Sequence, residues 1–120
     1  MTDTTDTPSL QLPTVVRDFF AAHVVHDADA ADRYLTDDVV VVDQDETFRG
    51  REAVHAFVRD AGAEFEYTTE QLAAHRVDDT HCVLTVRLEG SFPGGTADLD
   101  YRFTLRGDRI AEVVIGNHES

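Results

Sequence analysis

Lysine and tryptophan are absent from this chain of 120 residues, which sets 24 acidic side chains against ten basic ones, all arginine, for a formal charge of −14. Such an excess argues against a nucleic-acid binder, because affinity for phosphate backbones comes from Lys and Arg displacing counterions, and no stretch gathers a basic patch. The same repulsion disfavours an anionic membrane surface. Cysteine occurs once, so no disulfide can form within the chain. In the alternation Cys82, Leu84, Val86, Leu88 that cysteine reads as a small core side chain. Long apolar runs are also missing: the longest aliphatic stretch, Val39 to Val42, is far too short to cross a bilayer. The opening MTDTTDTPSLQLP has neither a basic segment nor an apolar run, so no signal peptide is expected and the expected location is cytoplasmic.

What is present is an ordinary globular share of apolar residues, 42%, enough for one domain with a single core. Asp outnumbers Glu about two to one. With lysine absent, this composition resembles the surface of a protein from a salt-in halophile. Short carboxylates hold water and cations where salt competes for both, and molar salt shortens the Debye length to about 3 Å, which screens the self-repulsion of so large a charge.

Residues 1–12 are rich in Thr and Asp with little to bury and read as a flexible acidic arm; residues 13–118 read as the domain. Val16, Phe19, Phe20, His23 and Val24 recur at spacings of three and four, which predicts a first helix with Thr14 as its N-cap. Asp29 to Leu35 predicts a short second helix that buries Tyr34 or Leu35. Val39 to Asp43 is a β-branched strand with Val39, Val41 and Asp43 on one face, followed by a polar loop through Asp45, Glu46 and Thr47. Gly50 opens a third helix, Arg51 to about Ala61, burying Val54, Phe57 and Val58 and ending at Gly62. Strands follow at about 64–77, 80–91, 97–105 and 109–115. Turns at Asp78-Asp79, Pro93-Gly94-Gly95 and Arg106-Gly107-Asp108 imply antiparallel hairpins.

The order of these elements, together with Asp29-Ala30-Ala31, Leu35-Thr36-Asp37-Asp38-Val39-Val40 and Phe48-Arg49-Gly50-Arg51-Glu52-Ala53-Val54, resembles the SnoaL-like branch of the nuclear transport factor 2-like (NTF2-like) superfamily. The resemblance covers about Pro13 to Gly116. It implies an α+β cone, a strongly curved antiparallel sheet wrapped around three N-terminal helical segments, with a pocket at the open end and a homodimer through the outer sheet face. The fold hosts isomerases, cyclases, dehydratases and non-catalytic binders, so the site must decide the function.

In isomerase-like members a carboxylate at the end of the first strand shuttles a proton, and Asp43 occupies the matching position. Facing an apolar cone, it would have its pKa raised toward the range of a general base; alternatively it opens a solvated acidic loop. The isomerases place a Tyr hydroxyl on the first helix, where this chain has Phe19, and a protonated acid near Asp100. The alternation Leu99, Tyr101, Phe103, Leu105 turns Asp100 outward. Without those donors a ketosteroid isomerase mechanism is not expected. His23, on the apolar stripe, is a candidate acid-base partner for Asp43 or else a satisfied core residue. Phe19, Phe20, Tyr34, Val41, Phe57, Leu84, Leu88, Tyr101 and Phe103 are expected to line the cone. His75 is an outside candidate, its strand parity being open.

No metal site is expected: His23 and His26 lack a third ligand at a diagnostic spacing, and the run Asp43, Asp45, Thr47 lacks the turn Gly and the bidentate Glu of a calcium loop. No Gly-rich phosphate loop and no Ser or Cys nucleophile arrangement is visible, and no cofactor is implied. The expected function is binding of a small apolar or aromatic molecule in the cone. The alternatives are a cofactor-free isomerase, cyclase or dehydratase using Asp43, and a non-catalytic structural homodimer.

Overall fold

The computed structural model describes residues 12–60, 67–91 and 94–118. The arm over residues 1–11, the Gly62 helix stop, the strand start at 64–66 and Pro93 lie outside the described residues. Leu12, expected in the arm, is buried in the core cluster.

Helix α1 (Thr14–Val24) turns Val16, Phe19, Phe20 and His23 inward, as their spacing predicts. Its cap differs from the expectation. Pro13 takes the N-cap position, its carbonyl accepting from the Val16 and Arg17 amides, and Thr14 is the first helical residue. Proline is well placed at a helix start, where it has no amide proton to leave unpaired. Helix α2 (Ala28–Asp32) is shorter than expected and is capped by the Asp27 carboxylate, which accepts from the Ala30 amide at 3.1 Å. Leu35, expected at the end of that helix, instead opens strand β1 (Leu35–Asp43) and is fully buried. The polar stretch Thr36-Asp37-Asp38 hides this early start, because Asp37 and Asp38 near the beginning of the strand are exposed to solvent.

Where a polar loop was expected, Glu46–Arg49 forms strand β2, antiparallel to β1 with Val41 opposite Phe48 and Asp43 opposite Glu46. An edge strand need not be apolar, so its composition conceals it. The two-residue connection sets Gln44 at φ 60°, the left-handed conformation that short hairpins demand of a turn residue. Helix α3 (Arg51–Asp60) follows Gly50, at φ 87°, and buries Val54, Phe57 and Val58 as expected.

Strands β3 (Tyr67–Arg76), β4 (His81–Gly90), β5 (Thr96–Arg106) and β6 (Arg109–Asn117) form the expected antiparallel meander. The sheet order is β2-β1-β6-β5-β4-β3, and β1 runs parallel to β6. That pairing departs from the all-antiparallel expectation because no tight hairpin joins the two strands and fixes their relative direction. Register shifts between Leu35 and Val40, Gln71 and Ala73, and Thr104 and Leu105 add local bending. The result is a curved, unclosed six-stranded sheet around the helices. On its inner face Phe103 meets Phe19 edge-on at 6.2 Å and Tyr101 meets Phe20 at 5.2 Å. Each such burial contributes roughly 1.5–3 kcal/mol, so α1 against β5 carries a large part of the core. Among the described residues, no helix is long and apolar enough to cross a membrane.

Candidate functional site

Asp43 closes β1 at the rim of a cavity of about 510 Å³. One wall is the β1–β2 hairpin, contributing Asp43, Glu46 and Phe48; the other is α3, contributing Ala53, Ala56, Phe57 and Asp60. Those four helical positions follow the i, i+3, i+4, i+7 spacing of a single stripe, next to the stripe that α3 buries. The rings of Phe48 and Phe57 bridge the two walls, their centroids 4.9 Å apart.

The alternation of β1 keeps Asp43 on the face of the fully buried Val39 and Val41, and the side chain is half-buried rather than a solvated start to a loop. Burial pushes its carboxyl above the ordinary value, and the charges of Glu46 and Asp45 push it further. The strand register explains the Glu46 effect, since Asp43 and Glu46 are direct cross-strand partners. Among the described residues, no hydrogen bond or ion pair reaches the Asp43 carboxylate.

His23 bonds to a different partner from the one expected. Its Nε2 lies 3.2 Å from the Tyr101 hydroxyl, and its ring stacks on Phe57, the aromatic wall of the cavity, at 5.6 Å. Burial, and then the charge of His26, lower its pKa from 6.5 to about 4, so the ring is neutral near pH 7. His23 Nδ1 has no hydrogen-bond partner among the described residues. Either tautomer leaves one donor of the pair without an acceptor among the described residues: His23 Nδ1–H if Tyr101 donates to Nε2, or the Tyr101 O–H if Nε2–H donates to the Tyr101 oxygen. Tyr101 in turn is pushed upward by burial and by the nearby charges of Asp43 and Tyr67. Tyr101 on β5 therefore stands between Asp43 on β1, whose charge it feels, and His23 on α1, to which it is hydrogen-bonded.

Of the residues expected to line the cone, Phe57 lines this cavity. Phe19, Phe20, Val41, Leu84, Tyr101 and Phe103 are packed into the core, and Tyr34 and Leu88 are half-buried against it. Asp100 faces away from Tyr101, as its parity predicts, yet it is buried. Thr85 donates to it at 2.6 Å and His118 Nδ1 at 3.0 Å. Burial pushes its carboxyl up, but these two hydrogen bonds outweigh that and hold it below the ordinary range. His75 pairs with Val83 and is exposed, so it is not part of the cavity. Asp29, Asp32 and His55 also come together, with His55 Nδ1 donating to Asp32 at 2.9 Å. With Arg51 donating to the Asp32 carbonyl at 2.8 Å, this cluster ties α2 to α3.

Glu46, Phe48, Ala53, Ala56 and Asp60 escaped the reading of the sequence. The α3 stripe was legible in its spacing, but its partner wall depended on a strand that looks like a loop.

The SnoaL-like domain family matches residues 16–113, most of the chain. The chain belongs to the SnoaL-like domain family, and its fold is that of the NTF2-like superfamily. Among solved structures, a proposed polyketide cyclase of Sinorhizobium meliloti is 30% identical, with 90% of this chain and 98% of that one covered at a TM-score of 0.81. A protein of Catenulispora acidiphila with a ketosteroid isomerase-like fold, solved with trimethylamine, is 20% identical over 90% of this chain and 88% of its own, at a TM-score of 0.74. A Mycobacterium tuberculosis protein solved with estradiol-17β-hemisuccinate is 16% identical over 94% and 95%, at a TM-score of 0.71. The last two likenesses are of fold alone. No curated protein matches the chain in sequence.

Proposed function

We propose that this protein binds a small, largely apolar or aromatic molecule in the cavity between α3 and the β1–β2 hairpin. The observation that carries this reading is a cavity of about 510 Å³ walled by Phe48, Phe57 and two alanines around one half-buried carboxylate. Its volume falls in the range of small-molecule sites, which are apolar with a few convergent polar groups. The Sinorhizobium meliloti relative, a proposed polyketide cyclase, supports a ligand with an apolar or aromatic frame. Titration of the 15N-labelled protein with 2-naphthol tests this. Amide shifts should concentrate on residues 43–48 and 53–60, and Ala56→Trp, which fills the cavity, should abolish them while the circular dichroism spectrum is kept. Unchanged binding by Ala56→Trp would remove the cavity from consideration.

A second reading, cofactor-free acid-base catalysis, is favoured by the Asp43 carboxyl, which has no partner among the described residues and an upward-shifted pKa. Asp43 would take a proton beside a ligand carbonyl and return it at a neighbouring atom of the same ligand; His23 and Tyr101 do not line the cavity. Loss of turnover with retained binding in Asp43→Asn is the outcome this reading requires. A homodimer through the outer sheet face belongs to the proposal as well. Exposed Val77 and an outer-face depression that includes Val83 and Val114 support it, and light scattering after size exclusion measures it.

A further inference from the structure

Carboxylates are common on this chain, and several of those described are matched by a base. Asp37 pairs with Arg51, Asp38 with Arg106, Asp60 with Arg59, Asp78 with His81, Asp98 with Arg87 and Asp100 with His118. Asp43 and Glu46 share the cavity. They face one another across the β1–β2 ladder, a placement that costs stability because like charges directly opposite repel, and among the described residues neither has an ion pair. The third acid of the cavity, Asp60, accepts from Nε and Nη2 of Arg59 at 3.0 and 3.1 Å. Among the described residues, no basic side chain lines the cavity. Arg49, on the same strand, has the opposite parity to Glu46 and Phe48 and so turns to the other face. Against this unbalanced pair of carboxylates stand the faces and edges of Phe48 and Phe57, set 4.9 Å apart and tilted by 44°.

A neutral apolar ligand would use the rings and leave the two carboxylates repelling each other. An anionic ligand would worsen that repulsion. An ammonium with apolar substituents uses every wall: its charge offsets Asp43 and Glu46, and its alkyl groups, which share the charge, rest on aromatic rings whose quadrupole attracts cations. We propose that the cavity is specific for an organic cation, a tertiary or quaternary ammonium carried on an apolar or aromatic body, with Asp43 and Glu46 as counter-charges and Phe48 and Phe57 as the aromatic wall. This rests on the cavity being the ligand site, and it adds the charge and class of the ligand.

The probes are benzyltrimethylammonium, its uncharged carbon isostere neopentylbenzene, and phenylacetate, titrated into the full chain at a KCl concentration where it is folded, with amide shifts read by NMR. The cation should bind about tenfold or more tightly than the isostere, with phenylacetate weakest. The near-isosteric Asp43→Asn, Glu46→Gln double variant should bring the cation down to the isostere's affinity while leaving the isostere's own binding unchanged or improved. Phe48→Leu should weaken the cation more than the isostere. If the isostere or phenylacetate binds as well as the cation, the cation proposal fails and the small-molecule reading stands. If none of the three shifts residues 43–48 or 53–60, and 2-naphthol fails as well, both readings fail together.

Discussion

The Nε2 atom of His23 on α1 lies 3.2 Å from the hydroxyl of Tyr101 on β5, a buried polar contact inside an otherwise apolar interface. Both rings also touch Phe20, and His23 stacks on Phe57. The bond thus links the helix, the sheet and the aromatic wall of the cavity. Removing one partner leaves the other buried and unsatisfied, at a cost of about 1–3 kcal/mol. Tyr101→Phe and His23→Phe should each destabilise the fold by that amount, and the double variant by clearly less than their sum. A double-mutant cycle from urea denaturation measures this, and additive losses would show that the bond contributes nothing net.

The same histidine makes stability depend on pH. Its pKa is depressed from 6.5 to about 4 in the fold, so in mild acid the unfolded chain takes up a proton that the folded chain refuses. The contribution is complete above pH 6.5 and is lost as pH falls toward 4. By pH 5 about 2 kcal/mol of it is lost. The stability difference between pH 7 and pH 5 should therefore shrink by about that amount in His23→Phe. An equal pH dependence in both proteins would place the titration elsewhere.

The helices and the four-strand meander were legible because hydrophobic period and turn chemistry agree there: Val54, Phe57 and Val58 are buried as their spacing says, and Gly107 sits at φ 65° in its hairpin. The first third of the sheet was not. Leu35 belongs to β1 though it follows a helical stretch, and β2 is a strand whose Glu46 and Thr47 are exposed. Strand identity there comes from pairing with β1, a tertiary fact that local composition does not carry. The site suffered accordingly. Asp43 could be placed from the β-branched run before it, but Glu46 and Phe48 could not, and the His23–Asp43 pairing was inferred without knowing that Tyr101 stands at His23. The burial of Asp100 on the outward face was likewise hidden, since parity gives direction and not the presence of Thr85 and His118 beside it.

Asp100 should behave as a stability group independent of the cavity. Its folded pKa lies below the ordinary 3.8, so its contribution is present above that value and lost as pH falls through the folded pKa. Asp100→Asn keeps the shape but removes the charge from its bonds to Thr85 and His118. It should cost about 1–3 kcal/mol at pH 7, with a gap to the parent that narrows below about pH 4. Ligand binding in the cavity should be unchanged. A variant that kept full stability yet lost binding would place Asp100 in the site after all.

The charge of −14 with no lysine leads to the last expectation, that the melting temperature climbs steadily from dilute buffer to molar KCl. Ten arginines cannot neutralise 24 acids, and the pairs they form here are mostly exposed, worth at most about 1 kcal/mol each and themselves weakened by salt. Screening therefore acts in two directions. It weakens the arginine pairs, and it relieves the repulsion among the remaining acids, including Asp43, Asp45 and Glu46 around one hairpin turn. The acids outnumber the pairs, so relief should win, most strongly as the Debye length falls from about 10 Å at 0.1 M toward 3 Å at 1 M. Asp45→Asn, which thins that cluster without touching the core, should raise the melting temperature in dilute buffer and leave it unchanged at molar KCl. A flat salt response in the parent chain would mean that the repulsion is already balanced within the fold, and it would remove the case for a salt-adapted surface.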